Sequence, residues 1–200
     1  GLGKGAAIGL AKKGHHVIAT TETTSQKTAL MRATRDLDIN MEVFKLDITN
    51  PIDLREIEKY DFDIFVANAA INEGGPLAEI PMERFHAIFE VNVFATLETA
   101  QIAAKKLAEK GKGKIIFLSS MAGIMTTPYA GPYAATKHAI EAMALTLKDE
   151  LKEFGVQVAT INPGSFDTGF NDRAVEEKWK WFNGEEHFTR KEDMEAMEEG

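Results

Sequence analysis

The sequence predicts an α/β protein built on a doubly wound parallel sheet. Short apolar segments typical of buried strands alternate with longer segments of helical periodicity. Polar residues follow several of these strands, at the edge where such sheets bind ligands. The 200 residues are 44% hydrophobic, contain no cysteine, and include no apolar run long enough to span a bilayer. We therefore expect one folded domain over residues 1–200, in a reducing compartment such as the cytoplasm and away from membranes.

The predicted elements of the first sixty residues alternate regularly between helix and strand. Gly14 provides a stop for the first helix, and Thr49 or Asn50 provides a cap for the third, whose first residue is a proline. In chain order they are a helix over 3–13, a strand over 16–20, a helix over 25–36, a strand over 41–46 and a helix that begins at Pro51.

The remainder of the chain contains longer helices and more apolar strands. Nearly continuous apolar runs favour strands that are buried on both faces of the sheet. These strands are predicted over 62–67, 115–118 and 156–161, and helices over 81–110 and 132–154.

The net charge of −8 is concentrated near the end of the sequence. Residues 172–200 carry ten acidic and five basic side chains, and therefore −5 of the total. An acidic protein without a basic patch is unsuited to nucleic acid. We expect the stretch beyond Asn183 to be solvated and partly disordered.

Tyr133 and Lys137 are the most informative pair of side chains. On a helix they lie on one face, one turn apart. An ammonium group beside a phenol lowers the pKa of the phenol, as an acid/base for alcohol and carbonyl chemistry requires. This spacing also arises by chance, so the pair indicates a function only together with other polar residues at predicted strand ends or within helices. Ser120 follows a buried strand and could bind a substrate oxygen, and Asn92 is an unusual residue inside a long helix.

Seven segments occur in an order and spacing that resemble the short-chain dehydrogenase/reductase family, in its compact single-domain branch with a Rossmann-like fold. The resemblance extends from Gly1 to Thr168. The segments are HHVIA, KLDIT, ANAA, VNVFAT, LSSMAGI, PYAATK and INPGSFDT.

The resemblance implies a catalytic tetrad of Asn92, Ser120, Tyr133 and Lys137. Tyr133 would be the acid/base and Ser120 would orient the substrate oxygen. Lys137 would bind the nicotinamide ribose and lower the pKa of the tyrosine, and Asn92 would hold a water of the proton relay. The implied reaction is hydride transfer between a nicotinamide cofactor and a secondary alcohol or ketone.

The resemblance also implies a set of cofactor-binding residues. Gly1 and Gly3 would let the pyrophosphate approach a helix start, and Asp47 would bind the adenine. The full implied set is Gly1, Gly3, Thr21, Asp47, Asn68, Ala69, Tyr133, Lys137, Pro163, Gly164 and Thr168. In the family, an aspartate at the position of Thr21 often binds the ribose of NAD, and an arginine at the position of Glu22 is frequent in enzymes that use NADP. Neither residue is present, so the choice between NAD and NADP stays open. The lack of an evident phosphate clamp favours NAD slightly.

Further expectations concern partners and alternatives. The resemblance implies a small-molecule substrate, a homodimer or homotetramer formed through the helices over 81–110 and 132–154, and a substrate lid within residues 169–200. Trp179, Trp181 and Phe182 either roof an apolar pocket or pack against the body of the protein. The histidines show no metal-ligand spacing. Two alternatives are a catalytically inactive NAD(P)-binding protein of the same fold and a sugar-nucleotide epimerase or dehydratase.

The sequence begins directly with a glycine-rich helix start. In a doubly wound sheet such a start follows a strand, so we expect about ten further residues, a first strand and its turn, ahead of Gly1. The final strand of the fold is also expected to be missing after the lid.

Overall fold

The computed structural model describes residues 1–195, apart from the side chains of Arg173 and Ala174. The chain forms two compact units, one over Gly1–Asp61 and one that begins at Phe62. All strand pairs among the described residues are parallel, and helices alternate with the strands along the chain. The predicted α/β class is confirmed. The organisation into one domain with strands missing at both ends stays a prediction.

The first unit contains a two-stranded parallel sheet and three helices. The strands pair in register from Val17 opposite Met41 to Thr21 opposite Lys45. The elements are α1 (Leu2–Lys12), β1 (Val17–Thr21), α2 (Thr24–Thr34), β2 (Met41–Lys45) and α3 (Pro51–Ile57).

Local signals in the sequence explain where these helices begin and end. Gly14 adopts a left-handed conformation with φ of 88°, which ends the first helical segment. Thr23 and Gln26 form a reciprocal capping box at the start of α2. Asn50 accepts a hydrogen bond from the Ile52 amide and caps α3.

The second unit contains a three-stranded parallel sheet in which β4 is the central strand. Its elements are β3 (Ile64–Ala67), α4 (Met82–Phe89), α5 (Thr96–Lys110), β4 (Gly113–Leu118), α6 (Gly131–Glu150), β5 (Val156–Ile161), α7 (Phe170–Lys178) and α8 (Lys191–Glu195). Short 3₁₀ turns cover Met121–Gly123 and Lys152–Phe154. No helix in the described part of the chain combines the length and the apolar content needed to cross a membrane.

The helical stretch predicted over 81–110 is continuous but not uniform. A π-helical turn over Glu90–Ala95 separates α4 from α5. The hydroxyl of Thr96, the first residue of α5, donates to the carbonyl of Val91 in this turn at 3.0 Å. Asn92 lies in the same turn, and the conformation sets the direction of its side chain.

The core of the second unit lies between its sheet and the helices α5 and α6. Ile115 and Phe117 are wholly buried on β4, the strand that leads to Ser120. The buried cluster consists of Ala67, Ala100, Ala103, Leu107, Ile115, Phe117, Ile140, Ala144, Val156 and Val158.

Candidate active site

Two adjacent strand ends and one helix form the candidate active site. Leu118 at the end of β4 lies opposite Ile161 at the end of β5, so the residues that follow both strands emerge at the same sheet edge. Helix α6 supplies Tyr133 and Lys137. The site lies within the second unit.

Tyr133 and Lys137 share one face of α6, as their spacing predicts. The Lys137 Nζ lies 5.5 Å from the centroid of the Tyr133 ring. It donates a hydrogen bond to the Leu118 carbonyl at 2.8 Å, and the side chain is buried. Lys137 therefore attaches the helix to the end of the central strand.

Ser120 adopts an extended conformation directly after β4. Its hydroxyl oxygen accepts a hydrogen bond from the Ala122 amide at 3.1 Å, which caps the short 3₁₀ turn. The Ser120 side chain also lies close enough to the Tyr133 phenol to lower the pKa of the phenol, in opposition to burial. Ser120 and Tyr133 can thus bind one substrate oxygen together.

The pKa values of the two titratable groups are governed by burial. Burial raises the pKa of the Tyr133 phenol, while the hydrogen bond with Ser120 acts in the opposite direction. Burial lowers the pKa of Lys137 to about 8, and the negative charge of Glu141 opposes that shift. The expected lowering of the Tyr133 pKa by Lys137 is not observed, because Nζ lies over the ring face and desolvation of the phenol dominates.

Asn92 is buried and hydrogen-bonded on both sides of its amide. Its Oδ1 accepts from the Ile71 amide at 2.8 Å. Its Nδ2 donates to the Ile71 carbonyl at 2.9 Å and to the Thr136 hydroxyl at 3.1 Å. Asn92 thereby joins the segment after β3 to α6, next to Lys137. The role in holding a water stays a prediction.

The implied cofactor residues of the second unit follow its strands. Asn68 and Ala69 are exposed directly after β3. Pro163 accepts a hydrogen bond from the Met121 amide at 3.0 Å, so the segment after β5 contacts the segment after β4. Gly164 and Thr168 lie further along that segment.

The implied cofactor residues of the first unit lie at α1 and after its strands. Gly1 is the N-cap residue of α1, and Gly3 lies in its first turn. Thr21 ends β1 and donates through its hydroxyl to the Thr23 carbonyl. Asp47 follows β2 and accepts hydrogen bonds from the amide and the hydroxyl of Thr49.

Residues 170–195 pack against the segment after β3 and against α4. The Trp181 ring lies against Gly75, where an added Cβ would come within 2.5 Å of the ring. The Trp181 Nε1 donates to Glu73 at 3.3 Å, and Phe182 is buried. The aromatic cluster therefore packs against the body of this unit. The lid function stays a prediction, and residues 196–200 of that prediction lie outside the described residues.

An ion-pair network reinforces this packing. Arg84 on α4 donates to Glu73 at 2.7 Å and to Glu177 on α7 at 3.2 Å. The Met194 side chain is wholly buried, so the acidic stretch beyond Asn183 is not solvated throughout its described part, which ends at Glu195. Burial of Met194 could not be predicted from the charge pattern around it.

Three residues near the acid/base pair were missed by the sequence analysis. Phe170, at the start of α7, packs edge-on against the Tyr133 ring with centroids 5.8 Å apart. Glu141 and Asn162 form a hydrogen bond beside Lys137 and Ser120. The position of Glu141, four residues after Lys137 on a helix, is the signal that could have identified it.

A parallel α/β fold with a serine after a central strand, and a tyrosine and a lysine one turn apart on the helix beside it, is typical of nucleotide-binding oxidoreductases. Residues 1–179 match the family model described as short chain dehydrogenase. The chain belongs to that family, and the predicted resemblance is confirmed.

Several relatives share part of the sequence, and a solved structure shares the fold. The chain is 32% identical over 175 residues to the uncharacterized oxidoreductase YusZ of Bacillus subtilis, covering 84% of this chain and 62% of that protein. It is 31% identical over 187 residues to a diacetyl reductase [(S)-acetoin forming] of Staphylococcus epidermidis, covering 90% and 73% of the two chains. A gluconate 5-dehydrogenase from Burkholderia cenocepacia, solved with NADP and tartrate, has a TM-score of 0.78 and 28% identity, covering 88% of this chain and 70% of that one.

Proposed function

We propose that the protein is an NAD(P)-dependent oxidoreductase that interconverts a secondary alcohol and a ketone, with Tyr133 as the acid/base. The observation that carries the proposal is the placement of Ser120, directly after β4, beside the face of α6 that bears Tyr133 and the buried Lys137, whose ammonium is bonded to the end of that strand. The names of the relatives support the same reaction class.

The raised pKa of Tyr133 suits it to start a reduction in its protonated form. The phenol gives its proton to the substrate oxygen as negative charge develops there, and Ser120 holds that oxygen by a hydrogen bond. Lys137, with a pKa of about 8, is mostly charged at neutral pH and stabilises the phenolate that remains. In the oxidation direction the same groups remove the proton of the alcohol.

The chain offers suitable residues for a nicotinamide cofactor, which when bound exchanges a hydride with the substrate carbon. Gly1 caps the eleven-residue helix α1 without a side-chain hydrogen bond, which leaves the first amides of the helix for phosphate oxygens. We assign the nicotinamide ribose to Lys137 and the adenine to Asp47. Asn68, Ala69, Pro163, Gly164 and Thr168 complete the proposed set.

We infer a preference for NAD over NADP. Glu22 is exposed directly after β1, where its charge repels a 2′-phosphate. The ammonium of Lys45, at the end of β2, is held by Asp53 at 2.5 Å. The NADP found in the gluconate 5-dehydrogenase structure favours the opposite choice, and calorimetry of the wild type with NADH and with NADPH distinguishes the two, with tighter binding of NADH expected.

The substrate is proposed to be a small ketone or alcohol with an apolar portion. Phe170 presents an aromatic wall beside Tyr133, where an apolar group of the substrate can pack.

A homodimer or homotetramer and a cytoplasmic location also stay predictions. Self-association is supported by two exposed apolar side chains, Phe94 in the π-helical turn before α5 and Leu145 on α6.

The substitution Tyr133→Phe tests the proposed chemistry. Loss of the phenolic proton should reduce kcat about 10²- to 10⁴-fold with diacetyl, acetoin or gluconate as substrates, while binding of NADH and NADPH changes little. Turnover is followed by nicotinamide absorbance and cofactor binding by calorimetry. The control is Tyr60→Phe, which keeps the ring stacked on Phe44 in the first unit.

Two outcomes would contradict the proposal. Turnover close to that of the wild type in Tyr133→Phe would exclude Tyr133 as the acid/base. Cofactor binding by the wild type without turnover on any alcohol or ketone would instead favour the inactive cofactor-binding alternative.

A further inference from the structure

Glu141 is the charged neighbour of Lys137 on α6. It lies one helical turn after the lysine, and its negative charge favours the ammonium form against the effect of burial. The Lys137 ammonium also faces the ring of Tyr133 on α6 and the Leu118 carbonyl at the end of β4. Lys137 thus donates to a neutral carbonyl, and Glu141 supplies a negative charge that opposes the effect of burial.

Glu141 is also connected to the Ser120 segment. Its Oε1 accepts a hydrogen bond from the Asn162 Nδ2 at 2.5 Å. The same Nδ2 donates to the Ser120 carbonyl at 3.1 Å, so both amide hydrogens of Asn162 are used. A chain of two hydrogen bonds therefore joins the carboxylate on α6 to the backbone of Ser120.

The 3₁₀ turn after Ser120 packs closely against the part of α6 that carries Lys137 and Glu141. A Cβ added at Gly123 would lie 2.6 Å from the Ser119 hydroxyl, 3.1 Å from the Lys137 carbonyl and 3.2 Å from the Glu141 Cγ. The missing side chain at Gly123 is what allows the 3₁₀ turn after Ser120 to lie against the turn of α6 that carries Lys137 and Glu141.

We propose that Glu141 is a positioning residue of the acid/base site, which holds Ser120 in place through Asn162 and keeps Lys137 charged from one helical turn away. Glu141 touches neither substrate nor cofactor in this proposal. Its two effects are separable, because charge acts on Lys137 through space whereas the position of Ser120 depends on the hydrogen bonds of Asn162.

Two substitutions separate the effects. Glu141→Gln retains the length of the side chain and an acceptor for Asn162 but removes the charge. Asn162→Ala retains the charge but removes the connection to Ser120. The matched control is Glu150→Gln, which removes an exposed carboxylate at the end of the same helix.

The first measurement is the titration of Lys137 by NMR of ¹³C-labelled lysine side chains, with the signal assigned through Lys137→Arg. The wild type should titrate near pH 8. Glu141→Gln should lower the midpoint by about one pH unit, as expected on loss of a nearby opposite charge. Asn162→Ala and Glu150→Gln should leave the midpoint unchanged. This measurement does not depend on the proposed enzymatic function.

The second measurement, which rests on the proposed function, is the pH profile of kcat. Lys137 loses its proton as the pH rises through its pKa, so activity should fall on the alkaline side. In Glu141→Gln this fall should move to lower pH, with a rate at pH 9 about tenfold below that of the wild type. Asn162→Ala should lower kcat at all pH values without moving the alkaline limb.

An unchanged Lys137 titration in Glu141→Gln would overturn the proposal, whether or not the enzyme turns over. If Glu141→Gln does not fold, Glu141→Asp provides the test, since it keeps the charge and shortens the reach to Asn162. Glu141→Asp should titrate at Lys137 as the wild type does but behave kinetically as Asn162→Ala does. A lowered midpoint in Glu141→Asp would likewise contradict the proposal.

Discussion

The helix that carries the acid/base pair and the C-terminal segment over 170–195 are attached to the same unit in different ways. Helix α6 is held by buried apolar side chains, among them Ala134, Ile140 and Ala144. The C-terminal segment is attached by buried Phe182 and Met194 and also by polar contacts from Arg84 and Glu79. Apolar burial does not depend on pH or charge, so the position of α6, which carries the acid/base pair, should not change with pH. The attachment of the C-terminal segment depends in addition on a few titratable groups.

The largest expected effect concerns the core beneath the acid/base site. Phe117→Ala should lower the free energy of unfolding by about 3–5 kcal/mol, because the side chain is wholly buried on the central strand. Urea unfolding followed by circular dichroism measures the change. The control Phe154→Ala removes a ring that is 55% exposed and should change stability by less than about 0.5 kcal/mol. Similar losses in both variants would show that this core does not hold α6.

A smaller effect is expected at the ion pair that attaches the C-terminal segment. Arg84→Met leaves Glu73 buried without its cation and should cost about 2 kcal/mol, less than a fully buried pair because Arg84 is partly exposed. Both tryptophans of the protein lie in the C-terminal segment, so fluorescence emission reports its release separately from global unfolding. Adding Glu73→Gln to Arg84→Met should recover part of the loss, since the uncompensated charge is then absent.

The control for the Arg84 ion pair is the exposed ion pair between Arg190 and Asp193 in the C-terminal segment. Arg190→Met removes the pair with Asp193 and should leave the stability nearly unchanged, because this pair is exposed to solvent. If Arg84→Met were equally mild, or if the double variant were no more stable than the single one, burial of Glu73 would not be the source of the attachment.

The smallest effect is expected at Glu79 and depends on pH. Burial raises the pKa of Glu79, but hydrogen bonds from Thr189 and from the Phe188 amide outweigh it, and the pKa lies below its usual 4.5. The contact is therefore complete above about pH 4.5 and is lost as the pH falls through the lowered pKa. Glu79→Gln should cost only about 0.5 kcal/mol at neutral pH, because the site is partly exposed.

Acid titration of the tryptophan fluorescence tests this sign. The ring of His187 lies 5.7 Å from that of Trp181, so displacement of residues 187–189 should alter the emission. The wild type should show a transition below pH 4.5, and Glu79→Gln should lack that component. A transition of equal size in both would assign it to other carboxylates.

The local order of elements was predictable because its signals are local. The stop at Gly14 and the cap at Asn50 are observed as the sequence predicts, and Tyr133 and Lys137 share a face of α6 as their spacing predicts. The π-helical turn at Asn92 was not predictable, since the hydrophobic period of such a short turn does not differ detectably from that of an α-helix.

Contacts between segments that are far apart in the sequence could not be predicted from it. Trp181 meets Gly75 across more than one hundred residues, and Asn162 meets Glu141 across a strand and a turn. The direction of the Tyr133 pKa shift was also wrong in the sequence analysis, because it depends on how much water the folded chain excludes from the phenol.

The sequence by itself determined the α/β class, the strand ends that bear polar residues and the pairing of Tyr133 with Lys137, because each depends on the periodicity of a single helix or strand. Only the tertiary structure decided that Lys137 is bonded to the Leu118 carbonyl, that Glu141 is connected to Ser120, and that the aromatic cluster packs on Gly75. These depend on which elements pack together and on the desolvation that packing causes, and both are properties of the whole fold.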